Sequence, residues 1–157
     1  MKKNNILGIT LARGGSKSVH KKNIRELCGK PLIAYTISEA LKSNFLTRYI
    51  VSTDDKEIAD LSKHYGALVI ERPSQLAQDQ TSTDPVILHF IEYLQKTDNV
   101  PEHIALVQAT FPFLNPSIVN QVNNQLNSQQ KGSLLAFVGV MFITPDSLFI
   151  RLSSIDT

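Results

Sequence analysis

The chain has 157 residues, 42% of them hydrophobic and 19% charged, which is the composition of one globular domain with a sizeable core. A formal net charge of +2 is too small to indicate nucleic acid or a membrane surface as the main partner. The single cysteine, Cys28, excludes an internal disulfide framework, and no apolar run is long enough for a membrane helix or a signal peptide. We therefore predict a single domain over residues 1–157, located in the cytoplasm.

Short apolar runs alternate with amphipathic segments along the chain, which predicts strands alternating with helices. The predicted strands are 6–11, 49–52, 67–70 and 104–107, followed by 134–138 and 140–143 as two strands or as one segment broken at Gly139. The predicted helices are one from Pro31 to Leu41, one capped by Thr53 or Asp54 and ended by Gly66, one that begins at Thr83-Asp84-Pro85, and one over 116–126. Because such apolar strands form parallel sheets covered on both faces, we predict an α/β fold, a three-layer α/β/α arrangement with a mostly parallel Rossmann-like sheet.

A basic loop with adjacent glycines follows the first predicted strand. Six of the sixteen Lys and Arg residues fall between Arg13 and Lys30, and Gly14, Gly15 and Ser16 stand near the start of this stretch. Glycines let backbone N–H groups approach an anion, while arginine and lysine supply charge to phosphate oxygens. The spacing fits neither a P-loop nor G-x-G-x-x-G. We interpret the loop as a polyphosphate cradle, with a plain turn among solvated lysines as the alternative.

Three further polar segments directly follow predicted strands, namely 52–55, 71–83 and the segment that begins at Gln108. In parallel α/β sheets, ligands bind beyond the carboxyl ends of the strands. The 71–83 segment is longer than a usual strand-to-helix connection, and loops of that length in compact domains are often functional. The sequence therefore predicts one ligand site that the basic loop and these three segments share.

A family resemblance rests on a set of ordered segments over roughly the first 115 residues: Ala12–Lys17, Lys22–Ile24, Gly29–Ile37, Val51–Ala59, Tyr65–Ala67, Arg72-Pro73, Leu76-Ala77 and Thr81–Val86. In this order and spacing the chain resembles the acylneuraminate cytidylyltransferases, which transfer CMP from CTP to a nine-carbon acidic sugar and release pyrophosphate. The resemblance implies a fold of the nucleotide-diphospho-sugar transferase type and Mg²⁺ as cofactor. It also implies CTP and the sugar as partners, and a homodimer.

The resemblance assigns roles to individual residues. Nucleotide binding is implied for the loop residues Ala12, Arg13, Gly14, Gly15, Ser16, Lys17 and Asn23. Of these, Arg13, Ser16, Lys17 and Asn23 would bind the triphosphate, with Arg13 and Lys17 as the catalytic cations. Arg72 and Ser82 would hold the cytosine and ribose, and Gln108 would face the sugar. From the residues alone, the favoured interpretation of Arg72, which stands beside Glu71, is an ordinary surface charge, and Ser82 is equally open to interpretation as a residue near a helix N-cap. The pair Asp54-Asp55 invites a metal, although capping of the next helix is the simpler role.

The sequence also departs from the family pattern. Phe111 stands where a serine is usual after Gln108, the arginine that normally follows is absent, and His20 replaces a proline. Family members are usually longer, with an arm that builds the dimer and an Asp-x-Asp pair that holds Mg²⁺. Here Asp156 is a weak metal candidate, and the shortening is compatible with internal loss of the arm or with a truncated chain.

Three functions follow from these observations. The first is a cytidylyltransferase for a nonulosonic acid. The second is a catalytically impaired CTP-binding member of the same fold, and the third is a sugar-1-phosphate nucleotidyltransferase that uses another base.

Overall fold

The computed structural model describes residues 6–16, 19–44, 46–97, 101 and 103–117, together with the backbone of 135–137 and 140–143. In chain order the strands are β1 (Ile6–Leu11), β2 (Glu26–Leu27), β3 (Lys30–Pro31), β4 (Leu46–Thr53), β5 (Leu68–Glu71), β6 (His103–Val107), β7 (Leu135–Phe137) and β8 (Val140–Ile143). The helices are α1 (Leu32–Leu41), α2 (Lys56–His64) and α3 (Thr83–Lys96), with short 3-10 turns at Lys22–Ile24 and Ser74–Ala77. Within this part of the chain, no helix is long and apolar enough to cross a membrane.

A six-stranded sheet forms the centre of the fold, in the order β5-β4-β1-β6-β8-β7. The four strands from β5 to β6 are parallel, and Ile9 of β1 lies between Ile50 of β4 and Leu106 of β6. β8 runs antiparallel to both β6 and β7. The mostly parallel sheet is therefore confirmed, whereas the alternative of one continuous segment over 134–143 is wrong, because its two halves pair with each other.

Helices cover both faces of the sheet, which confirms the three-layer arrangement. On one face, Ile6 packs in a core cluster with Ile33 of α1 and Ile58 of α2. On the other face, Leu7 packs in a second cluster with Phe90 of α3. Side chains of neighbouring strand residues point to opposite faces, so an apolar run such as Ile6–Leu11 supplies both clusters at once.

Two predicted helix starts differ from the observed ones. The capping residue of α2 is Asp55 and not Thr53 or Asp54, because Asp55 Oδ1 accepts a hydrogen bond from the Ile58 N–H at 3.0 Å. Pro31 lies immediately before α1 in an extended conformation, with ψ 139°, so it precedes the first turn that it was predicted to occupy. The predicted end of α2 is confirmed at Gly66, whose φ of 93° suits a residue without a side chain.

The structure also contains a small hairpin that the sequence pattern did not predict. β2 and β3 are antiparallel, and the two residues between them, Cys28 and Gly29, have φ angles of 50° and 77°. Positive φ at both central residues is the geometry of a tight hairpin turn. Cys28 occupies the position where asparagine or glycine is the usual signal, and therefore the turn was missed. Of the helix predicted over 116–126, the structure describes Pro116 and Ser117 and the rest lies outside the described residues.

Candidate functional site

A cleft of about 370 Å³ lies at the carboxyl ends of the parallel strands. The basic loop after β1 contributes one wall, the segment between β5 and α3 contributes another, and the residues after β6 form a third. Six of the predicted site residues line this one cleft: Arg13, Ser16, Asn23, Arg72, Ser82 and Gln108. Lys17 lies outside the described residues.

The first half of the basic loop is held against the neighbouring strand end by its own backbone. The Ala12 N–H donates to the Ser52 carbonyl at 3.0 Å, and the Gly14 N–H donates to Asp54 Oδ1 at 3.1 Å. A Cβ on Gly14 would lie 2.5 Å from Asp55 Oδ2 and 2.8 Å from Asp55 Cβ, whereas a Cβ on Gly15 would meet nothing within 4 Å. Gly14 is therefore required by close packing, and Gly15 is not.

The second half of the loop has two anchors of its own. Asn23 is buried, and its Nδ2 donates to the Arg13 carbonyl at 3.0 Å, so this side chain closes the loop on itself. Lys21, with φ 49°, forms an ion pair with Glu57 on α2, and this contact raises the pKa of the lysine. Lys21 is thus turned toward α2, while its neighbour Lys22 lines the cleft.

Arg72 is buried, so its interpretation as a surface charge is wrong. Only 4% of its side chain is exposed, and its backbone N–H donates to the Thr53 carbonyl at 2.8 Å. Nη2 lies 3.5 Å from Asp54 Oδ1, a distance that suits an ion pair better than a hydrogen bond. Burial lowers the pKa of Arg72, the nearby Asp54 carboxylate opposes this change, and the charge of Arg13 adds to it.

Arg72 lines the cleft, and its guanidinium carries hydrogen-bond donors that the described residues do not satisfy. Its Nε and Nη2 are buried and have no hydrogen-bond acceptor among the described residues. Buried donors without acceptors are costly, and native proteins usually satisfy them with a partner, water or ligand. Two guanidinium groups that repel each other across one cleft also favour an anion between them.

Arg13 connects the basic loop to the segment between β5 and α3. Its Nη1 lies 2.9 Å from Asp79 Oδ1, and both side chains are about one-third exposed, at 35% and 36%. Asp79 belongs to the polar segment between β5 and α3, and sequence reasoning gave it no role. In the sequence, Asp79 is one acidic residue in a polar loop, and nothing in the pattern indicated that Arg13 would be its partner.

The remaining predicted residues, Ser82 and Gln108, lie where loops meet the cleft. Ser82 occupies the N-cap position of α3, but its side chain makes no capping hydrogen bond, so its hydroxyl does not serve as a cap. Gln108 is exposed at the end of β6, and the Phe111 N–H donates to its carbonyl at 3.2 Å. Buried Thr36 of α1 holds this turn, because the single proton of its Oγ1 is shared between the carbonyls of Ala109 and Phe111, at 3.3 and 3.4 Å.

The described residues do not fit a dedicated magnesium site. Asp54 contacts Gly14 and Arg72, Asp55 caps α2, and Asp79 pairs with Arg13. In the described part of the chain, no three acidic, histidine or cysteine side chains cluster in a way that could hold a metal ion. Asp156 lies outside the described residues, so its candidacy stays a prediction.

A mostly parallel α/β sheet with a basic loop and a buried arginine at its carboxyl edge places this chain in the class of α/β proteins whose ligand site lies beyond the ends of the strands. Residues 7–146 match the family described as Cytidylyltransferase, and the chain belongs to this family. The predicted family resemblance is thereby confirmed.

Individual relatives agree with this assignment. The chain is 37% identical over 131 residues to pseudaminic acid cytidylyltransferase of Campylobacter jejuni, an alignment that covers 83% of this chain and 56% of that protein. It is 40% identical over 115 residues to CMP-N,N'-diacetyllegionaminic acid synthase of Legionella pneumophila, covering 73% and 50% of the two chains. The chain thus spans about half the length of these relatives.

Solved structures resemble the fold at low sequence identity. CMP:2-keto-3-deoxy-manno-octonic acid synthetase complexed with CTP superimposes with a TM-score of 0.75 at 15% identity, covering 96% of this chain and 78% of that chain. A cytidylyltransferase from Leptospira borgpetersenii gives a TM-score of 0.73 at 16% identity, with coverages of 97% and 65%. At such identities the likeness supports the fold alone.

Proposed function

We propose that this protein binds CTP in the cleft and transfers CMP to a nonulosonic acid, with release of pyrophosphate. The observation that carries this proposal is the pairing of the basic loop with buried Arg72 across one cleft, in a chain of the cytidylyltransferase family. The relatives named for pseudaminic and diacetyllegionaminic acid support a nine-carbon acidic sugar as the acceptor.

The basic loop is proposed to hold the triphosphate. Arg13, Ser16 and Lys22 line the cleft, and we propose Lys17, which follows Ser16 in sequence, as a further cation of the loop. A guanidinium is a planar fork that suits two phosphate oxygens, and lysine acts as a point charge. Because Ser52, Asn23 and Asp54 already hold the backbone at residues 12–14, this part of the loop needs little ordering when the nucleotide binds.

The other walls are proposed to hold the base, the ribose and the sugar. Arg72 offers buried donors that lack acceptors, and a cytosine carbonyl or a ribose oxygen would satisfy them. The free hydroxyl of Ser82 lies on the same wall. Gln108, at the end of β6, would present its amide to the acceptor sugar.

The proposed reaction is a displacement at the α-phosphorus. The anomeric hydroxyl oxygen of the sugar forms a bond to this phosphorus and loses its proton to solvent water, while the bond from this phosphorus to the oxygen that bridges to the β-phosphate breaks and pyrophosphate leaves. Such a displacement needs positioning of the two reactants and stabilisation of negative charge on the leaving phosphates. Arg13 and Lys17 would supply that stabilisation. Mg²⁺ is proposed to bind together with CTP, because the described residues do not form a site for the ion by themselves.

The function is tested by release of pyrophosphate from CTP in the presence of Mg²⁺ and a panel of nonulosonic acids. We expect release with at least one acid of the pseudaminic, legionaminic or N-acetylneuraminic type. CTP binding by calorimetry without any release would support the catalytically impaired alternative. Tighter binding of GTP or UTP would refute the base assignment and support the third function.

A matched pair of lysine variants tests the loop. Lys17→Ala should weaken CTP binding, because it removes one cation from the proposed triphosphate wall. Lys96→Ala removes the same charge from the exposed C-terminal end of α3, away from the Thr83 end that meets the cleft, and should leave binding unchanged. Equal CTP affinity in the two variants would contradict the phosphate role of the loop.

A further inference from the structure

One carboxylate oxygen connects the two halves of the proposed nucleotide site. Asp54 Oδ1 accepts the Gly14 N–H at 3.1 Å and lies 3.5 Å from Arg72 Nη2. Gly14 belongs to the basic loop after β1, and Arg72 follows β5 on the opposite side of β4. We propose that Asp54 is a positioning residue for nucleotide binding, which holds the basic loop and the Arg72 guanidinium in register with each other. This inference rests on the proposed function.

The local geometry supports this role. Asp54 follows β4 directly, and this strand end also fixes the backbone of both partners, since Ser52 accepts the Ala12 N–H and Thr53 accepts the Arg72 N–H. Asp55, the next residue, takes over the capping of α2, which leaves Asp54 available for the site. The Asp54 side chain is 22% exposed, so water screens its charge less than it screens a fully exposed carboxylate.

The charge of Asp54 has a specific consequence for Arg72. The guanidinium is buried beside a second cation, Arg13, and a carboxylate is the group that offsets both burial and repulsion. Asp54 lies 3.5 Å from Nη2, and Nε has no hydrogen-bond acceptor among the described residues. Without Asp54, the guanidinium is expected to leave its buried position.

Substitutions separate the two contacts. Asp54→Asn keeps an oxygen that can accept the Gly14 N–H but removes the charge next to Arg72, whereas Asp54→Ala removes both. Asp60→Asn, on the exposed face of α2, makes the same change of charge away from the cleft and serves as the control. We expect CTP affinity to fall about tenfold in Asp54→Asn and further in Asp54→Ala, since a contact to a charged group is being lost. Asp54→Glu should recover part of the loss.

A merely structural role is excluded by a double-mutant cycle with Arg72→Met. If Asp54 acts through Arg72, Asp54→Asn will cost affinity in the parent chain and nothing further in the Arg72→Met background. Losses that add in the double variant would overturn the proposal, as would an Asp54→Asn variant that binds CTP as tightly as the parent.

A second readout needs no nucleotide. In NMR spectra of the free protein, the Arg72 Nε–H should exchange its hydrogen slowly with water. Asp54→Asn should raise this exchange rate and leave the exchange rate of the Gly14 amide unchanged. Asp54→Ala should change both signals, and Asp60→Asn neither. If the parent chain binds no CTP, the proposed function fails, while these signals still decide whether Asp54 holds both partners. Signals that do not respond to Asp54 refute the positioning role in either case.

Discussion

Gly14→Ala tests the packing of the basic loop on the start of α2. The added Cβ would lie 2.5 Å from Asp55 Oδ2 and 2.8 Å from Asp55 Cβ, and the Cβ contact cannot be relieved by rotating the far end of a side chain. Either Asp55 or the loop must therefore move. The φ of Gly14 is not positive, so alanine meets no left-handed backbone strain there and the expected effect comes from this contact.

The magnitude follows from what Asp55 does. Its Oδ1 accepts the Ile58 N–H at 3.0 Å and caps α2, and loss of such a cap costs about 0.5–2 kcal/mol. Gly15→Ala is the matched control, because its Cβ would meet nothing within 4 Å and a tolerated Gly→Ala change stabilises by about 0.4–1 kcal/mol through the unfolded state. Because both variants gain the same unfolded-state contribution, it cancels, and we expect Gly14→Ala to be less stable than Gly15→Ala by about 0.5–2 kcal/mol, the value of the cap.

The assay is equilibrium unfolding in urea, with CTP affinity measured on the same samples. A difference of 1 kcal/mol corresponds to about 2–4 °C in Tm for a domain of this size, so thermal scans serve as a second check. Gly14→Ala should also bind CTP more weakly, because displacement of the loop disturbs the Gly14 N–H and its contact with Asp54. Equal stability of the two alanine variants would refute the close-packing argument.

Two further predictions concern the core. Phe90→Ala should destabilise by about 3–5 kcal/mol, because Phe90 is fully buried under the sheet, while Phe113→Ala, at a side chain 81% exposed, should change stability by no more than about 0.5 kcal/mol. If Phe90→Ala and Phe113→Ala lost equal stability in urea, the placement of Phe90 in the core would be contradicted. Burial raises the pKa of Tyr49, which contacts Thr10, so its contribution is fully present below about pH 10 and is lost as the unfolded tyrosine ionises above that pH. The free energy of unfolding should therefore fall between pH 9 and pH 11 more steeply in the parent chain than in Tyr49→Phe, and identical slopes would refute this assignment.

Most of the fold could be predicted from the sequence, because strands that are buried on both faces stand out as apolar runs. A run such as Ile6–Leu11 has Thr10 as its single polar side chain and is followed by a glycine-containing basic loop, a combination typical of a strand in a parallel sheet that ends at a ligand site. The carboxyl ends of neighbouring parallel strands lie at one edge, so segments far apart in sequence could be assigned to one cleft. The same rule explains why Arg13, Arg72 and Gln108 were correctly expected to lie near each other.

The details that failed depend on contacts that a sequence pattern does not contain. Asp54 and Asp55 are chemically identical neighbours, and only the path of the chain decides which one caps α2 and which one contacts Gly14 and Arg72. Asp79 had no local signal, since its partner Arg13 lies in a different loop. The hairpin at Cys28 was missed because its φ of 50° occurs without the glycine or asparagine that usually marks such a turn.

The most direct test of the account is a titration of the protein with CTP, followed by backbone amide NMR. We expect saturable binding, with the largest shifts at the amides of the basic loop, Arg72 and Ser82, and much weaker binding of UTP and GTP. Absence of binding, or shifts confined to residues outside the cleft, would contradict the central claim that this cleft is a CTP site.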